Sequence, residues 1–243
     1  MWATAFSFTT FKRRRNKSGE VMKFLGFYPE TVAARVQAAA VPPRVPTLAR
    51  SLGVGAGGFC LIAVVVFSII AGTDAWLRRH WGELASYAVY SSLFILLAAS
   101  LFRRLLIRPA PLVRFYVLFA GAFLLYSAGW TTAWITLRNK PGEWLGSLLA
   151  TTALGLTLAT AFDAPGQILK VIAVLFVTRS AGYFGGELLH GAIPGTAGWL
   201  LWGAAYGLGL GTGLGYSLYA CQEPARERLK TNPPPAARSP VSG

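Results

Sequence analysis

Leu61-Ile62-Ala63-Val64-Val65-Val66-Phe67 sits near the start of the first long apolar run of the chain and decides its fold class. A strand of a membrane barrel alternates polarity from residue to residue, and this stretch does not. The run around it covers residues 52–73. At 1.5 Å per residue a helix of that length crosses about 30 Å of hydrocarbon with modest tilt. In lipid a helix satisfies all of its own backbone donors and acceptors, which only a closed barrel can otherwise do. Five further runs follow, near 84–102, 113–137, 145–162, 168–189 and 196–220. The sequence therefore predicts an all-α, polytopic integral membrane protein, a bundle of about six transmembrane helices.

Composition agrees. Of 243 residues 54% are hydrophobic and 13% charged, about half the charged share of a soluble domain. The net charge is +14. It lies mainly in the tails and in loops between apolar runs, so it speaks for orientation, not for nucleic acid. With the N-terminus inside, the inner segments hold eighteen Lys and Arg and the outer loops four. Cationic segments stay on the cytoplasmic side, which predicts both termini inside, in a bacterial cytoplasmic (inner) membrane or, as an alternative, an organellar inner membrane. Trp76, Trp81, Trp130, Trp134, Trp144, Trp199 and Trp202 then fall at the outer ends of the runs, where an indole sits half buried with its N–H wet.

Three regions follow. Residues 1–50 read as a cytoplasmic basic arm containing Lys12-Arg13-Arg14-Arg15, a short helix from Pro29 to Ala40 and a Pro-rich link; a transit peptide is the competing reading of its start, and both Met1 and Met22 can begin translation. Residues 51–220 form the membrane domain. Residues 221–243, with Pro233-Pro234-Pro235, read as a disordered cytoplasmic tail.

The last run is patterned. Gly203, Gly207, Gly211 and Gly215 recur every fourth residue, with Ala205, Gly209, Gly213 and Ser217 on the nearly opposite face. Two thin faces predict a glycine zipper in which this helix is sandwiched between neighbours. Gly53, Gly57 and Gly58 open the first run at the same depth, so the first and last helices are expected to pack antiparallel there. A weaker pattern links Gly82-Glu83 with Gly142-Glu143, and Ser127-Ala128-Gly129-Trp130 with Ser180-Ala181-Gly182-Tyr183, as in a duplicated hairpin.

One residue is expensive. Arg179 lies near the middle of the fifth run, where an arginine costs about 2.5–3.5 kcal/mol on insertion scales. Tyr183, Glu187 and His190 share its helix face, and Tyr126 or Ser127 is a candidate partner on the third run. These residues are the candidate binding site: a polar track toward the outer surface, or a structural clamp. His80 and His190 are the only histidines, and His80 is expected in a charged loop. A bis-histidine haem is the one cofactor they suggest. None is predicted, and one His per site does not make a metal site. Cys60 and Cys221 are far apart and read as inert thiols.

No H-E-x-x-H, G-x-S-x-G, P-loop or dinucleotide motif is present, so no catalytic residue is assigned. The expected function is that of a non-catalytic membrane protein: a subunit or scaffold of a larger membrane assembly, or a small carrier, with lipids and other membrane subunits or its own copies as partners. The alternative is a redox or membrane-embedded enzyme subunit with its polar site at Arg179, Glu187 and His190.

Overall fold

The computed structural model describes residues 23, 25–39, 43–108 and 110–233. Lys12-Arg13-Arg14-Arg15, Met1, Met22 and the chain beyond residue 233 lie outside the described residues. Within them the structure is helical, with a single β-bridge between Arg44 and Arg108. Helix α1 is Pro29–Ala38 and α2 is Leu48–Gly53, and a π-helical turn Val54–Gly58 leads straight into α3, Phe59–Phe102. After a 3₁₀ turn, Arg103–Leu105, come α4, Leu112–Leu137, and α5, Lys140–Ala161. A second 3₁₀ turn, Pro165–Gln167, precedes α6, Ile168–Ala192; α7, Gly195–Cys221, and α8, Glu223–Thr231, complete the order.

Four helical stretches are long and apolar enough to cross a membrane: Leu48–Leu105, Leu112–Leu137, Lys140–Ala161 and Pro165–Ala192. The first, at 58 residues, is a hairpin. Gly82, at φ 82° and ψ 171°, reverses its direction. The rings of Phe59 and Phe102 are consequently 5.7 Å apart, and the Thr73 and Tyr90 hydroxyls meet at 3.1 Å. A straight helix would hold Phe59 and Phe102 apart by about 65 Å. Helix α7 is as long, 27 residues, but its glycines dilute its hydropathy. Counting both arms of α3, the bundle has six long arms.

Residues 74–83, expected as a charged loop, are helical up to the Gly82 reversal. The Arg78 Nε–Asp74 ion pair, 2.7 Å and one turn apart, supports that last stretch of helix. His80 is thus in a helix, its ring stacked on Trp76 at 4.6 Å.

The arms close into a ring. The first arm of α3 packs on α7, α7 on α6, α6 on α5, α5 on α4, and α4 on α3. Outside the ring, large apolar side chains face away from protein: Leu84 is 84% exposed, Leu169 82%, Leu188 77% and Val113 73%. Such a surface belongs against lipid or another apolar partner.

Helix α7 is the thin element of the ring. On one side, a methyl on Gly203 would lie 2.7 Å from Phe67, one on Gly207 2.7 Å from Ala63, and one on Gly211 2.6 Å from Phe59. On the other, a methyl on Gly213 would lie 2.5 Å from Thr178, and one on Gly209 would overlap the Thr178 carbonyl. Toward α2 and α3, however, Gly53 and Gly57 face open space. The close approach to Gly211 and Gly215 is made by Ser51 and Gly55. Counting by fours from Ser51 gives Gly55, Phe59, Ala63 and Phe67, the row that meets α7, and Gly53 and Gly57 lie off it. Gly58 packs against Leu101 of the second α3 arm instead.

The tail expected to be disordered folds, in its first part, as α8. Pro224 sits in its first turn beside Glu223, Arg228 and Lys230 occupy its last, and Ala225 and Leu229 are buried. They join Val32 and Val36 of α1 and Ile107 in a small core. Arg228 also pairs with Glu30 at 2.5 Å. Gln222 ties this cap to the bundle: its Oε1 accepts from the Ile107 N–H at 2.7 Å and its Nε2 donates to the Leu105 carbonyl at 2.9 Å.

Candidate functional site

Arg179 stands eleven residues into α6, a 25-residue helix, so about 16 Å from its start. It is 2% exposed. Its Nε donates to the Tyr126 hydroxyl on α4 at 3.1 Å, and its Nη1 donates to Ser147 Oγ on α5. The guanidinium lies 4.5 Å from the ring centre of Tyr183 and 5.9 Å from those of Trp130 and Tyr206. The phenols of Tyr126 and Tyr206 meet at 2.9 Å, which links α4 to α7.

These contacts are strong enough to hold the arginine inside. A hydrogen bond to a charged group contributes about 1.5–3 kcal/mol, and a desolvated cation–π contact about 2 kcal/mol. Together they offset an insertion penalty of about 2.5–3.5 kcal/mol. Every partner is nevertheless neutral, so among the described residues the positive charge has no counter-charge beside it.

The cation borders a cleft. About 260 Å³ of space lies among the second arm of α3, α4, α6 and α7, with Ser91, Ser127, Trp130, Arg179, Trp202 and Tyr206 on its walls. The Trp130 ring lines it, and the indole N–H is buried without an acceptor among the described residues. Arg179 spends its Nε and Nη1 protons on Tyr126 and Ser147, and its Nη2 carries two further donors. The space is near the lower end of small-ligand pockets, about 300 Å³, and suits a headgroup-sized anion. Aromatic walls and convergent donors make an apolar body with one negatively charged group the matching chemistry.

Of the four residues expected to form the site, the structure brings Arg179 and Tyr183 together and leaves the other two apart. Glu187 faces outward and pairs with Lys140 at the start of α5. His190 is exposed, with the Trp199 ring at 6.1 Å. The expected polar track along α6 is therefore broken after Tyr183, whose carbonyl accepts from the Trp202 indole at 3.3 Å. Lys140 is a closer and fully opposite charge for Glu187 than Arg179 two helical turns away. Among the described residues no group of three His, Cys, Asp or Glu converges.

The seven tryptophans among the described residues gather toward one end of the ring, by the Gly82 reversal and the α4–α5 and α6–α7 links. Trp76 lies 6.0 Å from Trp81, Trp130 stacks on Trp134 at 5.8 Å, Trp144 on Phe184 at 4.2 Å, and Trp199 lies 5.1 Å from Trp202. Two residues of the site carried no flag in the sequence. Ser147 is one of many hydroxyls in apolar helices, and its signal was only its place one helix before the arginine. Tyr206 lies one turn beyond Trp202 in a helix whose glycines dominate the pattern.

Comparison of the chain with protein-family models, with curated proteins and with solved structures finds no match.

Proposed function

We propose that this chain is a non-catalytic integral membrane protein that crosses a bacterial inner membrane six times, with both termini in the cytoplasm, and that it binds or carries an amphiphile with an anionic group in the cleft over Arg179. Six arms form the ring, and the α1–α8 cap ties both end segments to one face of it, as an even number of crossings requires. The excess of Lys and Arg on that face supports the cytoplasmic assignment. Tryptophans at the opposite end suit the outer headgroup level. The exposed leucines are surfaces for lipid or a neighbouring subunit.

The observation that carries the ligand is the guanidinium at mid-depth, bordered by open space and with no acid beside it among the described residues. An anion entering there gains the free Nη2 donors without disturbing Tyr126 or Ser147. The enzymatic alternative needs Glu187 or His190 at Arg179, and these residues have other neighbours.

Thermal unfolding of the full chain in a mild non-ionic detergent tests this, with hexyl phosphate as anionic probe and hexanol as its neutral control. Saturating hexyl phosphate is expected to raise the midpoint by a few degrees, hexanol not to, and Arg179→Gln to abolish the difference. An equal response to both probes, or an unchanged response in Arg179→Gln, overturns the assignment.

A further inference from the structure

A second cationic site lies at the opposite end of the bundle from the tryptophans, and it is independent of the cleft. Arg44, Arg50, Arg104 and Arg108 surround a cavity of about 90 Å³ with Pro46 and Leu106. Backbone, not chance proximity, holds two of them together: Arg44 and Arg108 form the β-bridge, the Arg108 N–H donating to the Arg44 carbonyl at 3.3 Å. Arg50 sits in the first turn of α2, whose Thr47 cap accepts from its N–H at 3.2 Å. Arg104 is in the 3₁₀ turn that ends the α3 hairpin. Buried Pro46 and Leu106 give the cavity an apolar back wall.

Four arginines line this hollow, and among the described residues none of them has an ion-pair partner. The neighbouring Arg103 Nε is buried and also lacks an acceptor. Like charges brought together repel, so a fold that places four arginines around one hollow gains from a bound anion. Planar guanidinium forks match the oxygens of a phosphate group, which several can hold at once. The space equals about three water volumes, enough for one phosphate group and too small for a nucleotide.

We infer that the Arg44–Arg50–Arg104–Arg108 cavity is a phosphate-binding site. Its position at the foot of the α3 hairpin, just outside the apolar runs, is headgroup depth for the leaflet on that side. The phosphate there is carried by an anionic phospholipid or is free in solution, and the two sources are separable.

The full chain is reconstituted in nanodiscs of phosphatidylcholine alone or with phosphatidylglycerol, and lipid retention is read by native mass spectrometry. Inorganic phosphate is titrated in the phosphatidylcholine discs, with the unfolding midpoint as readout. Preferential retention of phosphatidylglycerol, reduced about tenfold or more in Arg44→Gln/Arg108→Gln, supports the site with a lipid source. Stabilisation by inorganic phosphate that the same variant loses supports it with a soluble source. A wild-type chain that responds to neither, or a variant that responds as the wild type does, overturns it. Arg50→Gln/Arg104→Gln, both exposed positions, gives the same comparison if the first variant misfolds. The hexyl phosphate response over Arg179 must persist in these variants, so failure here is distinct from failure of the cleft.

Discussion

Ser147 and Arg179 are joined across α5 and α6 by a hydrogen bond whose direction is fixed at both ends. The Ser147 hydroxyl gives its proton to the Glu143 carbonyl at 2.8 Å, so its oxygen is left to accept from the guanidinium. Tyr126 is held from two sides: its oxygen accepts from Arg179 Nε, and its hydroxyl shares a hydrogen bond with the Tyr206 hydroxyl.

The stability of variants at this site should follow which group is left alone. Ser147→Ala and Tyr126→Phe each strand a charged donor away from water and are expected to cost about 1–3 kcal/mol. Arg179→Leu leaves Ser147 bonded to Glu143 and Tyr126 bonded to Tyr206, and removes the buried charge. It should therefore unfold at or above the wild-type temperature while losing the hexyl phosphate response. Tyr126→Phe combined with Arg179→Leu should be milder than the sum of the two changes. Melting curves of the three singles and the double in one detergent decide it. If Arg179→Leu is the least stable of the set, the cation acts as a structural clamp.

Glu187 should be dispensable for ligand binding. It is exposed and holds Lys140, so Glu187→Gln removes a surface pair worth well under 1 kcal/mol and leaves Arg179 untouched. Wild type and Glu187→Gln should then differ by only a small amount in melting temperature. A fall in hexyl phosphate affinity in Glu187→Gln would restore the polar track along α6.

The helical class, the apolar arms, the special status of Arg179 and the two thin faces of α7 were legible because each follows from local pattern. Hydrophobic length shows a helix, and a lone arginine in an apolar run must be explained. The partners of Arg179 were less legible because they depend on which helices become neighbours in the ring. Face periodicity places Glu187 on the side of Arg179, but Lys140, 47 positions earlier, captures it. Gly53 and Gly57 fit a rule of fours as well as Ser51 and Gly55 do. Only the rotation of α2 about its axis chooses between the two rows. The folded part of the tail was masked by its prolines: Pro224 starts α8, and the run beginning at Pro233 lies after its end.

Gln222 should matter more than its place after the last long helix suggests. It is 3% exposed and satisfies one backbone donor, Ile107 N–H, and two acceptors, the Leu105 and Leu218 carbonyls. Gln222→Ala leaves Ile107 N–H and the Leu105 carbonyl without partners, at about 1–3 kcal/mol each. Gln222→Glu keeps the acceptor for Ile107 but sets a buried carboxylate oxygen against both carbonyls, so it should be no more stable than Gln222→Ala. Limited proteolysis of the 103–108 turn and melting temperature read the effect. An unchanged Gln222→Ala would show that water replaces the side chain.

The contact between α2–α3 and α7 gives the sharpest contrast among single methyl groups. A methyl on Gly211 would press on Phe59 and overlap the Gly55 carbonyl, and one on Gly55 would overlap the Gly211 carbonyl. Backbone atoms cannot move aside as a flexible side chain can, so each Gly→Ala change must push two helices apart. Overpacking of this kind costs about 1–3 kcal/mol, and helices held mainly by close packing in lipid have little else to compensate it. Gly53→Ala and Gly57→Ala add the same methyl into open space, and alanine is the better helix former. Those two variants should match or exceed the wild type in melting temperature, while Gly55→Ala and Gly211→Ala fall well below it. Equal effects at all four positions would mean that α2 is rotated about its axis relative to α7, with Gly53 and Gly57 sharing the contact.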